Sequence, residues 1–141
     1  MNFPIDANLD WSGLVVMGLD ECLDRLRSEP VGRLGLVDHG EPVILPVNYA
    51  LDGRSIVFRT AHGSKLAAAI MQAPVCFEVD GWDITDHTGW SVLVKGVADE
   101  VLDDETITRL STLPARPWSH PDLRVNWVRI MSEEITGRRV A

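Results

Sequence analysis

Residues 31–60 read VGRLGLVDHGEPVILPVNYALDGRSIVFRT, and the turns inside this stretch decide the fold. Val31–Val37 is rich in residues that suit a pleated strand, and it runs into Asp38-His39-Gly40, a turn signal. Pro42–Leu51 follows and meets Asp52-Gly53, whose residue types tolerate the positive φ that a two-residue hairpin requires. Ser55–Thr60 is the return strand, with Ile56 and Phe58 on one face. Connections this short join antiparallel strands, because a parallel partner needs a crossover of about a dozen residues.

Toward the N-terminus, Leu19, Cys22, Leu23 and Leu26 fall at helical spacing, and Asp20, Glu21, Asp24, Arg25 and Arg27 fill the other face. This predicts a short amphipathic helix that ends before Pro30, since the residue preceding proline is pushed out of helical angles. Residues 1–18 are mixed and predict a segment that wraps the surface of one domain, residues 19–141. Toward the C-terminus, Ser64–Gln72 predicts a second helix, with Ser64 as its cap and Leu66, Ala67, Ile70 and Met71 as its apolar stripe. Val75–Val79 reads as a fourth strand, Asp80–Gly89 as a polar loop and Trp90–Leu102 as a long strand in which Gly96 marks a bulge. A helix capped by Asp103 or Asp104, a proline-punctuated loop (Pro114–Pro121) and a last strand (Asn126–Ile135) complete the chain. Six strands joined mostly by hairpins, with three short helices, predict a mainly β protein built as a small antiparallel barrel.

The bulk numbers bound the function. A chain of 141 residues is one domain's worth. With 21 acidic and 13 basic residues, its net charge of −8 repels nucleic acid and acidic membrane surfaces. No apolar run is long enough to span a bilayer. Cys22 and Cys76 form no C-x-x-C pair, which fits a reducing cytoplasm better than a secreted disulfide scaffold. Asp80, Asp83, Asp86 and His87 lack calcium-loop spacing, and no zinc motif is present, so no metal is expected.

The segment Phe58-Arg59-Thr60-Ala61-His62-Gly63-Ser64-Lys65 leaves a strand and enters a helix. A helix start offers free N–H groups and the positive end of the dipole. Arg59 and Lys65 add charge, Thr60 and Ser64 add hydroxyl donors, and Gly63 allows close backbone approach. Together they predict a phosphate site, against an ordinary capped surface turn as the alternative. Leu45-Pro46-Val47-Asn48-Tyr49 is a strand interrupted by proline, which leaves backbone groups free to meet the polar edge of a ring. Five tryptophans, Trp90 and Trp118 among them, supply flat apolar faces for a ligand or for packing.

The run from Val31 to Asp80, followed by GWSVLVKGVADEV (89–101), resembles the pyridoxamine 5′-phosphate oxidase-like family of flavin-binding split β-barrels. The resemblance covers roughly Leu19 to Gly137. It implies a six-stranded Greek-key barrel that forms a homodimer with FMN at the subunit interface. It further implies that Arg59, Thr60, Ser64 and Lys65 hold the FMN phosphate, and that Pro46, Val47, Asn48 and Tyr49 line the isoalloxazine ring. By the same resemblance Trp90 and Ser91 approach from the partner subunit, and Trp118 covers the site. The C-terminal Thr136–Ala141 matches poorly the arginine-containing segment that grips pyridoxal in full-length oxidases, so oxidation of pyridoxamine phosphate does not carry over. The implied activity is an FMN-dependent oxidoreductase that passes electrons from a reduced nicotinamide to a small molecule. The deazaflavin F420 is the alternative cofactor, and a non-catalytic flavin, F420 or haem carrier is the alternative function.

Overall fold

A hairpin network organises the chain, as its computed structural model shows for residues 9–61 and 65–141, with Lys65 described by its backbone alone. Strand β1 (Val15–Met17) leads into helix α1 (Leu19–Ser28), which buries Cys22, Leu23 and Leu26 at the spacing the sequence predicts. Strands β2 (Val31–Asp38) and β3 (Glu41–Asn48) pair across His39-Gly40, both at positive φ. Strands β4 (Ala50–Asp52) and β5 (Ser55–Thr60) pair across a turn in which Gly53 has φ 62°. Helix α2 (Lys65–Ile70) is followed by β6 (Pro74–Asp83), β7 (Thr88–Val101), helix α3 (Asp104–Leu110), a 3₁₀ turn at Pro121–Leu123 and β8 (Asn126–Arg139). The Asp103 carboxylate caps α3 by accepting from the Thr106 N–H at 2.9 Å.

All the strand pairs are antiparallel, in the order β3-β2-β6-β7-β8-β5-β4, with β1 added to β8. The two ends of this order, β3 and β4, are consecutive in the chain and joined at Tyr49. The sheet therefore curls until its ends meet through the backbone, not through a ladder, which makes a split barrel. Strands β5, β8, β7 and β6 lie in Greek-key order. The fold is mainly β, with a few short flanking helices, as the sequence predicts.

Three expectations need correcting. Pro42–Leu51 is not one strand: β2 begins at Val31, opposite Asn48, so the ladder ends there and the Tyr49 N–H turns to the Pro30 carbonyl at 3.3 Å. Asp80–Gly89 is not a loop but the end of a long hairpin, whose turn is organised by the Asp83 carboxylate accepting from the Thr85 N–H at 2.9 Å and the Asp86 N–H at 3.1 Å. Strand β8 continues past Ile135 to Arg139, because it has β7 on one edge and β1 on the other. The register shift at Lys95/Gly96 is the predicted bulge, and a Cβ at Gly96 would run into the Met131 carbonyl.

The barrel interior holds Leu34, Phe58, Phe77, Val92, Val94 and Ile130, closed at one end by α1. A second, smaller cluster lies under α3, where Leu110 and Ala115 pack on Ala50, Val57 and Trp127. Strand β5 is thus covered on both faces, with Ile56 and Phe58 toward one cluster and Val57 toward the other. No described helix is long and apolar enough to cross a membrane.

Candidate functional site

Alternation along β5 sends Arg59 to the same side as Val57, and Thr60 to the same side as Phe58. Arg59 is the last residue but one of its strand and pairs with Trp127 of β8. Its guanidinium lies 5.6 Å from the Trp127 ring centroid, a cation–π contact. From there it lines two adjoining cavities. One, of about 120 Å³, is bounded by Pro46, Val47, Asn48, Pro117 and Arg124. The other, of about 240 Å³, is bounded by Ser111, Leu113, Arg116, Pro121 and Asp122.

The charges around Arg59 are out of balance with the rest of the molecule. Several other arginines find acids: Arg109 and Arg129 share Asp52, Arg138 takes Asp10 and Arg139 takes Glu21, whereas Arg25 sits over Trp90. Among the described residues, no carboxylate lies within ion-pair distance of Arg59, Arg116 or Arg124. Burial, and then the neighbouring Arg116, press the Arg59 guanidinium below its ordinary range, while Asp122 works in the opposite sense. Guanidinium stays protonated in any case, so the cavity keeps its positive charge. The Arg59 Nε and the Thr60 hydroxyl are both buried without a hydrogen-bond partner. Buried polar atoms are nearly always satisfied, so the Arg59 Nε is available to a ligand in its cavities; the Thr60 hydroxyl is orphaned on the opposite, Phe58 side of β5, and the Arg129 Nε is orphaned as well.

The structure brings Pro46, Val47, Asn48 and Arg59 to one cavity. Trp118 joins them through its backbone, donating its N–H to Asn48 Oδ1 at 3.0 Å, while its indole stays 74% exposed. Asn48 Nδ2 in turn donates to the Pro30 carbonyl at 3.4 Å, so the amide positions the loop and the strand. Tyr49 is placed differently from the expectation that its side chain lines a ring. It is buried in the core, edge-on to Phe77 at 4.8 Å, and its hydroxyl donates to the Leu26 carbonyl at 2.5 Å. Ser64, with His62 and Gly63, lies outside the described residues, as does the side chain of Lys65, whose backbone opens α2.

Residues 19–139 match the pyridoxamine 5′-phosphate oxidase family. The chain belongs to that family. An uncharacterized protein of Mycobacterium tuberculosis is 34% identical, across 85% of this chain and 86% of its own. The structure of an FAD binding protein from Mycobacterium smegmatis superposes with a TM-score of 0.75 at 35% identity, covering 89% of this chain and 97% of that one. A conserved protein of unknown function from Corynebacterium diphtheriae does so with a TM-score of 0.76 at 36% identity, covering 91% and 98%.

In this member of the family, Trp90 and Ser91 stand apart from Arg59. They open β7 opposite Arg139 and Arg138, whereas the Arg59 partner Trp127 faces Val101 at the other end of that strand. The separation along β7 is on the order of 35 Å. Trp90 and Ser91 instead line a groove with Trp82 and Arg138, and Arg25 sits 5.0 Å over the Trp90 ring. Arg116 and Arg124 are the residues that sequence reasoning misses. They belong to the proline-punctuated stretch after α3 and its 3₁₀ turn, which β8, by pairing with β5, draws over Arg59.

Proposed function

We propose that this family member binds a flavin by its phosphate, FMN in the first instance, and acts as an oxidoreductase between a reduced nicotinamide and a small-molecule acceptor. The observation that carries this reading is that Arg59 lines one cavity with Arg116 and the adjoining one with Arg124, against a single acid, Asp122, and with none of the three in an ion pair among the described residues, in a chain of net charge −8. A phosphate ester is the common small ligand that answers such a cluster, and charge-assisted bonds to it are the strong ones. Thr60, whose hydroxyl is orphaned on the Phe58 side of β5, lines neither Arg59 cavity, and Ser64 and Lys65 follow the strand end in sequence as further donors. The similarity to an FAD binding protein at 35% identity supports a flavin over other phosphate esters.

Bound there, the flavin supplies the redox chemistry, accepting a hydride and passing electrons on. The chain's own part is to bind and orient. Arg59 and its neighbours anchor the phosphate, while the Pro46–Asn48 backbone runs beside the cavity where a ring would lie. The Trp118 indole is exposed beside the same cavity and is free to cover it from water. Trp90 and Ser91 reach such a site only from a second copy of the chain, so a homodimer is part of the reading. Light scattering after size exclusion should return twice the mass of 15.6 kDa.

The test is a titration with FMN followed by reduced nicotinamide under anaerobic conditions. Binding should quench flavin fluorescence at micromolar protein, and NADH or NADPH should bleach the visible band. Unquenched free flavin ends the proposal. A second reading, a carrier of flavin, F420 or haem, is favoured by one observation: apart from Asp122, the described residues lining the two Arg59 cavities include no acid. Bound flavin that neither nicotinamide reduces would select that reading.

A further inference from the structure

A further cavity, of about 440 Å³, shares one wall residue, Leu113, with the cavity of Arg59 and Arg116. It lies between the end of α1, strand β4 and the loop after α3, outside the proposed flavin site. Its volume falls within the roughly 300–1,000 Å³ of small-molecule sites. The buried Leu26, Tyr49 and Ala50, with Leu51, Leu113 and Pro114, make its surround mostly apolar. The polar side chains come from one place, Arg27, Ser28 and Glu29, where α1 ends.

The charge at that end has a definite sign. Arg27 Nη1 donates to Asp24 Oδ1 at 3.1 Å, so its charge is matched within the helix. The Ser28 hydroxyl donates back to the Arg25 carbonyl at 2.7 Å. Glu29 is half-buried and takes part in no ion pair among the described residues. As the C-cap of α1 it adds its carboxylate to the negative end of the helix dipole, where a cation and not an acid is favoured. Its field reaches the buried Tyr49 hydroxyl, which burial first and then this charge push above its ordinary range.

We propose that this cavity binds a small apolar amine in its protonated form, with the ammonium on Glu29 and the last carbonyls of α1 and the hydrocarbon body against Leu51, Leu113 and Pro114. The inference goes beyond the flavin reading and does not depend on it. An ammonium group donates three hydrogen bonds, which suits a carboxylate beside free helix carbonyls. The cation is organic: one carboxylate is too poor a donor set for a metal ion, and no cluster of metal-ligating side chains lies among the described residues. It also carries an apolar body, because the rest of the surround offers a highly charged polyamine nothing to pair with.

The experiment titrates the full-length, flavin-free protein with phenethylamine by calorimetry at neutral pH and physiological salt. Phenethyl alcohol and hydrocinnamate serve as the neutral and anionic counterparts. The expected result is one site per chain, the amine binding about tenfold tighter than the alcohol and hydrocinnamate weakest, as one charge-assisted contact implies. Glu29→Gln should bring the amine and the alcohol level. Leu51→Trp, which fills the cavity from β4, should weaken both by about tenfold or more. No binding by wild type, an amine no tighter than the alcohol, or a preference that survives Glu29→Gln overturns the inference. A chain of net charge −8 attracts any cation, so amine binding that neither variant alters is that diffuse attraction and overturns it too. Cooperative thermal melting of the variants shows that lost affinity is not lost fold, and Glu29→Gln decides alone if Leu51→Trp does not fold. Because no flavin is present, failure of FMN to bind leaves the amine site standing, and failure of the amine leaves the flavin reading standing.

Discussion

Trp118 donates its backbone N–H to the side-chain oxygen of Asn48 at 3.0 Å, tying the loop that follows α3 to a strand 70 residues earlier. The same loop carries Arg116, and Arg124 follows just beyond it. Asn48 therefore decides where the cationic wall stands relative to β3. Asn48→Ala removes this bond and the one to the Pro30 carbonyl. Exposed hydrogen bonds contribute only about 1 kcal/mol each to stability. The expected outcome is a small drop in Tm with a roughly tenfold loss of FMN affinity, read by fluorescence titration. A large drop in Tm with unchanged affinity would count against the positioning role.

Thr60 offers a variant whose two effects have opposite signs. Its hydroxyl is buried and lacks a partner, and such a group costs about 1–3 kcal/mol of stability. Thr60→Val keeps the shape of the side chain and deletes the hydroxyl. The ligand-free protein should gain about 1 kcal/mol or more in a denaturant melt. If the hydroxyl serves a phosphate, the same variant should bind FMN less tightly. A variant that is both less stable and equally tight would show that Thr60 is ordinary core.

How much of this was legible in the sequence follows from which interactions are local. The Asp52-Gly53 hairpin and the 19–28 helix are set by neighbours a few residues apart, and both form where their residues place them. Arg59 is legible as a cation at a strand end. The Tyr49 direction is not, because Leu26 and Phe77, more than twenty residues away on either side, decide it. Arg116 and Arg124 are silent in sequence, since only the pairing of β5 with β8 brings their segment to Arg59. The 80–89 stretch looks like a loop because an exposed hairpin tip needs no apolar alternation: Trp82, Ile84 and their neighbours face water.

Tyr49 gives a direct test of that core placement. Tyr49→Phe keeps the edge contact with Phe77 and loses the hydrogen bond to the Leu26 carbonyl at the end of α1. The structure predicts a loss of about 1 kcal/mol in a urea melt, with α1 loosened first. Hydrogen exchange at the α1 amides is the measurement that locates the change. Protection lost around β3 and not in α1 would argue that the hydroxyl points elsewhere.

Glu78 shapes the dependence of stability on pH. It shares Arg33 with Asp80: Arg33 Nη1 donates to Glu78 Oε1 at 3.0 Å and to Asp80 Oδ1 at 3.1 Å. Burial first, then the adjacent Asp80, push the Glu78 carboxyl up to about 7, from an ordinary 4.5, while Arg33 opposes the shift. Between those two values the folded chain holds a proton that the unfolded chain has released. Stability contributed by this group therefore falls as pH rises from 4.5 to about 7, and changes no further above that. Glu78→Gln keeps the shape and removes the titration. The variant should melt with the wild type near pH ~4, where both side chains are neutral, and about 3 °C above it near pH ~8. Melting curves across that range check the sign, because parallel Tm profiles for the two proteins would mean that Glu78 ionises as freely in the fold as outside it.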